Sequence, residues 1–394
     1  MYLDKAAGSV QADEKGNVGR LMSVLIYIAI AVLAVITAGY AGMLPAGVRR
    51  RGAVIFLFLL LFVPAALRQG IGNDYYRYAA FMHLVVSNAY VPTEWGFNTV
   101  VRVIYGLCGY ENYLLVFAVF AAVTLFIFLK AIFREAEDLA ASFALFMLFG
   151  YYFNCYNTVR YYLALSIALL ALGFIRRKEY AWFVIAIAAA ASFHKSALVL
   201  FLLYPLCMIR WKRVPLIVVT AAGAVLSLFR SFWTGVFLRL YPSYEGTGFF
   251  EAARPGYAGI ARCLAILLLA VLAVYFCGGR GTPGIKRITG ESIIDHYYAR
   301  MNYMALAIYV FGWFVPEISR IGHYLTITHI FYIPQILSYV RERDEKMYRR
   351  FRAAVFAAAV LYFAAFLYKA WSPDISLLPY RTFLFHDLPD VIVE

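Results

Sequence analysis

Negative charge is scarce in this chain: 22 aspartates and glutamates stand against 36 lysines and arginines, and residues of both signs make up only 15% of its 394 positions. So little charge excludes an ordinary soluble globular domain, where roughly a quarter of residues are charged. The five cysteines are scattered, without CxxC or Cys/His ligand spacing. That argues against a structural zinc site, a disulfide framework and redox chemistry. Cys108 and Cys155 are the one pair whose joining is conceivable, and two unrelated thiols in apolar sites are the plainer reading. Strand-like alternation of apolar and polar residues is missing too, which excludes an outer-membrane barrel. What is abundant is apolar surface. Hydrophobic residues reach 64% and aromatics 18%, with a mean hydropathy of +0.73, more than a soluble core of this length can bury.

The composition points to an all-α polytopic integral membrane protein. A spanning helix needs roughly 20 apolar residues, and about a dozen stretches are candidates, some short enough to be tilted or broken. They are Leu21–Tyr40, Ala53–Leu67, Tyr113–Lys130, Leu139–Phe153, Tyr161–Ile175, Tyr180–Phe193, Ala197–Ile209, Pro215–Phe229, Tyr257–Cys277, Met301–Phe314, Tyr324–Val340 and Ala353–Leu367. The net charge of +14 comes in short basic clusters between these stretches. Such placement reads as topology signals and not as a nucleic-acid surface. Arg49 to Arg51, Arg176 to Lys178, Arg210 to Arg213, Arg280 with Lys286 and Arg287, and the run from Arg341 to Arg352 fall in alternate loops. With these inside, both termini lie outside. The first span is expected to be a retained N-out anchor, because its basic cluster follows the apolar run where a signal peptide has its charge first. Residues 1–20 read as a polar extension, 21–370 as one transmembrane helical domain with 68–112 an outer loop carrying interfacial helices, and 371–394 as an outer tail.

One polar stretch, Arg68-Gln-Gly-Ile-Gly-Asn-Asp-Tyr-Tyr-Arg-Tyr78, interrupts the apolar pattern on the outer side. Its glycines permit tight turns and close approach to a ligand, Arg68 offers a fork for phosphate or carboxylate, and Asp74 a proton acceptor. The bland alternative is a turn after a helix, with Arg68 snorkelling to headgroups. Further along, Tyr75, Tyr78 and Trp95 are rings suited either to the membrane interface or to stacking on sugars, and Glu94 is a second outer carboxylate, read first as a helix-start or ion-pair residue. Arg160 opens a helix, where a cation is disfavoured for helix stability alone and an anion seat is favoured. His194 falls at an outer break beside Lys195 and Ser196, where it is placed to take a proton, and Ser196 looks like an N-cap. Arg262 lies about one turn inside a span, at a cost of roughly 2.5–3.5 kcal/mol unless partnered. Arg320 and His323 mark another outer turn, before Tyr324. Several outer arginines with few acids and no metal motif suggest a dianionic or polyanionic ligand.

In order, these motifs are an arginine followed by Gly72-Asn73-Asp74-Tyr75 and Tyr78, then Glu94-x-Gly96-Phe97, Asn157-x-x-Arg160, Phe193-His194-x-Ser196-Ala197, Arg320-x-x-x-Tyr324 with Pro334, and Pro379-Tyr380. The order resembles the EpsG family of bacterial exopolysaccharide and O-antigen (Wzy-type) polymerases. Asn73 stands where the family usually has threonine, and Tyr161 where it often has glutamine. The resemblance implies a membrane glycosyltransferase of GT-C-like architecture in the bacterial inner membrane, acting at the periplasmic or exterior face. Its substrates would be undecaprenyl-diphosphate-linked oligosaccharides as both donor and acceptor, its surroundings the lipid bilayer, and its partners a chain-length regulator and other assembly proteins; no nucleic acid and no cofactor is implied. In that chemistry Arg68, Arg160, Arg320 and Arg262 would hold the diphosphate in place of a metal ion, and Asp74 or His194 would take the proton of the acceptor hydroxyl. Tyr75, Tyr78, Glu94, Trp95, Tyr324 and Tyr380 would line the glycan. A lipid-linked oligosaccharide flippase and a membrane O-acyltransferase are the alternatives. The first would show an internal duplication, and none is visible; the second would modify a glycan without lengthening it.

Overall fold

The computed structural model describes residues 2–210, 213–240, 245–246, 257–277, 296–315 and 318–385. The basic cluster of Arg280, Lys286 and Arg287 and the acidic Glu317 lie outside the described residues, as does most of the expected outer segment from 241 to 256. Among the described residues the secondary structure is helical, with one isolated bridge between Arg68 and Thr382. The helices are α1 (Tyr2–Met43), α2 (Val48–Leu67), α3 (Tyr75–Val86), α4 (Trp95–Cys108), α5 (Tyr113–Glu135), α6 (Leu139–Leu148), α7 (Tyr151–Asn154), α8 (Val159–Arg176), α9 (Tyr180–Phe193), α10 (Leu200–Met208), α11 (Arg213–Ser227), α12 (Arg230–Leu240), α13 (Tyr257–Cys277), α14 (Tyr297–Phe311), α15 (Ile318–Thr326), α16 (His329–Arg343) and α17 (Glu345–Lys369), with a 3-10 turn at Lys195–Val199.

Six of these stretches are long and apolar enough to cross a membrane: Leu21–Met43, Val48–Leu67, Tyr113–Glu135, Val159–Arg176, Gly259–Phe276 and Glu345–Lys369. A seventh is available if Ile217–Ser227 and Arg230–Arg239, bent by 88° at their junction, cross as one. The protein is an all-α membrane protein. Exposed leucines, isoleucines and valines run along α1, α2, α13 and α17, where a soluble protein would carry charge and lipid is the natural solvent.

The remaining expected stretches are helical but shorter, and local chemistry sets their breaks. The candidate span Tyr324–Val340 is split between α15 and α16, where Thr328 Oγ1 donates to Leu325 O at 2.6 Å. A bond of that kind competes with the helical ladder. Leu139–Phe153 is interrupted at Gly150, whose φ of +74° is left-handed and tolerated by glycine. Side-chain caps start several helices; Asn112 Oδ1 accepts from Leu115 N at 3.0 Å for α5, and Asp138 Oδ1 from Ala141 N at 2.9 Å for α6. Cys108 and Cys155 are free thiols, the latter donating to Tyr151 O at 3.2 Å.

The chain divides into two compact units. The first holds residues 1–170, 189–195 and 353–394; in it α1 packs on α2 and α6, α2 on α5, and α3 and α4 on each other. Its portion of α8 is lined by buried Tyr161, Tyr162, Leu163, Leu165 and Ala168, the all-round apolar pattern of a core helix. The second unit holds residues 171–188 and 196–352 and is built on α14, which packs on α10, α11, α13, α15 and α16. Asn302 is a buried polar group that is paired there: its Nδ2 donates to Ile266 O at 3.1 Å while its Oδ1 meets His329 Nε2 at 2.8 Å. Arg300 Nε donates to Cys207 O at 2.6 Å, covering a carbonyl at the end of α10.

Candidate functional site

The polar stretch after α2 is built against the C-terminal tail. Gln69 N donates to Arg381 O (3.0 Å), Gly72 N to Ser376 O (2.7 Å) and Asn73 N to Ile375 O (3.2 Å). Gly72 has a φ of +95°, and a Cβ there would stand 2.9 Å from Asn157 Cα and 3.0 Å from Tyr156 O; only glycine suits both the turn and the approach. Arg68 itself is 1% exposed. Its Nη1 donates to Ala65 O, Tyr380 Oη donates to Pro64 O at 3.0 Å, and Phe383 N reaches Leu67 O at 3.4 Å. Arg68 and the tail thus cap the carbonyls that α2 leaves unpaired. Burial pushes the Tyr380 phenol up to about 12 against the opposing charge of Arg68, so it stays a neutral donor.

Arg68, expected as a diphosphate ligand, has its guanidinium enclosed by the core and engaged by a helix end. Tyr75, expected to meet glycan, is 1% exposed and stacks on Phe117 with centroids 4.6 Å apart. Tyr78 is buried as well, beneath Arg160. Rings that fill a core cannot also be sugar platforms. Trp95 is 74% exposed and keeps that capacity.

Asp74 is half-buried at the start of α3, and its backbone N–H is held by Asn157 Oδ1 at 3.3 Å. Asn157 sits three residues before Arg160, so one amide ties the carboxylate loop to the turn that carries the arginine. Arg160 Nη1 donates to Glu94 Oε2 in an ion pair whose side chains are 14% and 18% exposed. The other Glu94 oxygen accepts from Lys195 N at 3.2 Å. Arg160 Cζ lies 5.5 Å from the Tyr78 ring and 5.7 Å from the Phe97 ring, a cation over two aromatic faces. Next to Lys195, the His194 ring is 5.3 Å from that of Tyr161. Asp74, Glu94, Trp95, Arg160 and His194 therefore belong to one construction in the first unit.

Gly96 explains how α4 comes so close. A Cβ there would stand 2.6 Å from Ser192 Oγ and 2.7 Å from Ser192 O. The absence of a side chain lets the start of α4 touch the end of α9, and Phe97, fully buried, plugs the contact between Tyr78 and Phe120. Within Glu94-x-Gly96-Phe97, the glutamate makes the ion pair, the glycine permits the close approach and the phenylalanine anchors the helix in the core.

The second unit holds the other expected residues. Arg262 Cζ lies 5.8 Å from the Tyr309 ring. A side chain on Gly322 would collide with that ring, so α15 and α14 meet through a glycine. Tyr324, expected at the glycan, is fully buried, its Oη 3.1 Å from Ser196 Oγ. Ser196, read as an N-cap, sits in the 3-10 turn before α10. Burial, then the charges of Arg262 and Arg320, pull His323 from the usual 6.5 down to about 4. An unfolded chain takes the proton near 6.5 and the folded one only near 4, so the folded state holds its full advantage above 6.5 and loses it as pH falls from 6.5 through 4. The thermal midpoint of the wild type is expected to fall across that window more steeply than that of His323→Gln, and to differ little in slope from the variant above it.

A family model described as the EpsG family matches residues 53–382. The chain belongs to the EpsG family. EpsG is a Wzy-type polysaccharide polymerase family. No curated protein and no solved structure matches the chain. The EpsG match begins in α2 and ends at Thr382, the residue that bridges to Arg68, so it takes in every residue of the construction around Arg160. In this EpsG chain the sequence pattern exposed Arg160 and Glu94 but not their pairing. It also missed the backbone of Lys195 as a partner of Glu94, the hold of Asn157 on Asp74, and the tail that secures Arg68. The amide of Asn157 was visible within the Asn-x-x-Arg motif; its partner, 83 residues away, left no local signal.

Proposed function

We propose that this protein is a polysaccharide polymerase of the bacterial inner membrane, which transfers a growing glycan en bloc from one undecaprenyl-diphosphate carrier to the terminal sugar of another lipid-linked repeat. Family membership supports the reaction class, and the Glu94–Arg160 pair is the observation that supports this placement of the site. The lipid diphosphate is the leaving group. Arginine charge fixed in advance stabilises what develops on it, with no step requiring a metal ion. Arg160 has the orientation set by two rings, the partial exposure and the helix N-terminus that a diphosphate needs. Glu94 is the counter-ion that keeps Arg160 in place until the donor arrives, and the diphosphate then takes the place of the carboxylate. Asp74 and His194 flank the pair as candidate bases for the acceptor hydroxyl, and Trp95 offers a ring to the glycan. Arg262 and Arg320 present the same anion chemistry in the second unit. In the membrane, we read about twelve crossings in a GT-C-like arrangement, with both termini and the Arg160 construction outside, and a chain-length regulator as partner.

The test is binding of a short polyprenyl diphosphate, carrying no sugar, to the purified protein. The wild type is expected to bind it better than the monophosphate. Arg160→Ala should weaken it by about tenfold or more, the scale of one charge-assisted bond, while Glu94→Gln should tighten it because the competing carboxylate is gone. Equal binding by wild type and Arg160→Ala would remove Arg160 from the site.

A further inference from the structure

The end of α4 away from Glu94 carries a feature that the proposed reaction leaves unused. Where α3 and α4 end, a cleft of about 400 Å³ is lined by Val86, Asn88, Arg102, Tyr105, Tyr110 and Glu111 among others. That volume falls within the roughly 300–1,000 Å³ of small-ligand sites. Glu111 is engaged, its two carboxylate oxygens lying 2.9 and 3.0 Å from His83 Nδ1, which ties the loop after α4 to the last turn of α3. Other polar groups of the lining are uncommitted. Among the described residues the Arg102 guanidinium has no ion pair, and the Asn88 amide and the Tyr105 hydroxyl have no hydrogen bond. Burial, then the Glu111 carboxylate, push the Tyr105 phenol up, so it is a neutral donor. Tyr110 is 64% exposed and offers a ring face, its Oη accepting from Asn112 Nδ2 at 3.1 Å.

These groups fit a sugar that bears one carboxylate. A single arginine pairs bidentately with one carboxylate, whereas Glu111 in the same lining repels the denser charge of a diphosphate. The Tyr105 hydroxyl and the Asn88 amide suit the hydroxyls of a sugar, and the Tyr110 ring suits its apolar face. Position supports the same ligand. Trp95 and Arg102 are both exposed and stand seven residues apart, hence on one face of α4, with about 10 Å between them. Trp95 adjoins Glu94, which pairs with Arg160. A glycan at the Arg160 construction therefore has a surface path along α4 that ends in the cleft. We propose, on the reading of this protein as a polysaccharide polymerase, that the cleft is a glycan subsite remote from the reacting end, where Arg102 selects a uronic acid and Tyr110 is its platform. The repeat unit is thereby assigned to the acidic class.

The experiment titrates the whole protein in lipid nanodiscs with trisaccharides of glucuronic or galacturonic acid and with their carboxyl-reduced counterparts, with no lipid diphosphate present. The wild type is expected to bind an acidic trisaccharide about tenfold or more tighter than the neutral ones. Arg102→Gln should abolish that preference. Tyr110→Ala should weaken both kinds by about threefold to tenfold, and Tyr110→Phe, which keeps the ring, should recover most of the loss. Both side chains are exposed, so the variants are expected to keep the wild-type thermal midpoint. A wild type without the acidic preference, a preference that survives Arg102→Gln, or an affinity untouched by Tyr110→Ala would each overturn the proposal. A protein that lengthens its glycan but binds no acidic trisaccharide loses the cleft alone; one that binds them as expected but lengthens nothing keeps the cleft and loses the polymerase reading.

Discussion

Gly96→Val is expected to abolish polymerisation while leaving most of the protein folded. The new side chain would meet not only Ser192 Oγ, which can rotate, but Ser192 O at 2.7 Å and Ser192 C at 3.0 Å from Cβ alone, which cannot. α4 must therefore move away from the end of α9. Glu94 stands two residues before Gly96 and holds Arg160 on one side and Lys195 N–H on the other, so a shift that spares the core breaks both contacts. Overpacking of this kind costs typically about 1–3 kcal/mol, enough to lower the melting temperature without unfolding the chain. Gly106 lies on the same helix with nothing within 4 Å of a Cβ. Gly106→Ala should therefore be neutral, or stabilising by about 0.5–1 kcal/mol through helix propensity alone. Measuring glycan synthesis and thermal midpoint for the two variants separates a general intolerance of α4 from a specific loss at Glu94. If Gly96→Val retains wild-type synthesis, the position of Glu94 does not matter to the reaction.

Arg160→Ala is expected to reduce the rate of polymerisation by about 10²–10³-fold, the scale seen when one preorganised donor to a developing negative charge is removed. The loss should fall on turnover as well as on donor affinity, because the charge on the leaving group is larger in the transition state than in the bound donor. Arg160→Lys should recover only part of it. A lysine supplies the charge but not the planar fork, and it stacks less well over Tyr78 and Phe97. The alanine variant also leaves Glu94 partly buried with no cation, so its stability must be read alongside its rate. Glu94→Gln with Arg160→Ala relieves that burden, and the double variant is expected to regain stability without regaining turnover.

How far these features could be read in advance follows from the range over which each signal acts. The helical class and the apolar stretches are local properties of composition, and the boundaries of α9 and α13 agree with the expected Tyr180–Phe193 and Tyr257–Cys277. The breaks at Gly150 and at Ile327–Thr328 depend on one backbone angle and one side-chain bond inside otherwise apolar runs, too small a perturbation to outweigh hydropathy. Arg160 was legible because a cation opening a helix is unfavourable unless something compensates it. Its partner Glu94 was visible as a residue but not as a partner, because the contact spans 66 positions. Arg68 was open to two readings for a physical reason: an arginine followed by two glycines looks the same whether the turn opens to a ligand or closes over a helix end. What decides between them is the tail, whose Tyr380 bonds Pro64 O across 316 positions. The tyrosines were open in the same way. Amphipathic rings suit an interface, a sugar or a core, and packing against Phe117 of α5 and Phe97 of α4 placed Tyr75 and Tyr78, respectively, in the core.

The central claim is that this chain lengthens a glycan on a lipid diphosphate at the Arg160 construction. It is tested most directly by incubating the purified protein with one lipid-diphosphate-linked repeat unit and resolving the products by size. A ladder of products separated by one repeat from the wild type, lost in a folded Arg160→Ala and kept in Gly106→Ala, is the predicted result. Products of unchanged length from a folded wild type supplied with its native repeat, or an undiminished ladder from Arg160→Ala, would contradict it.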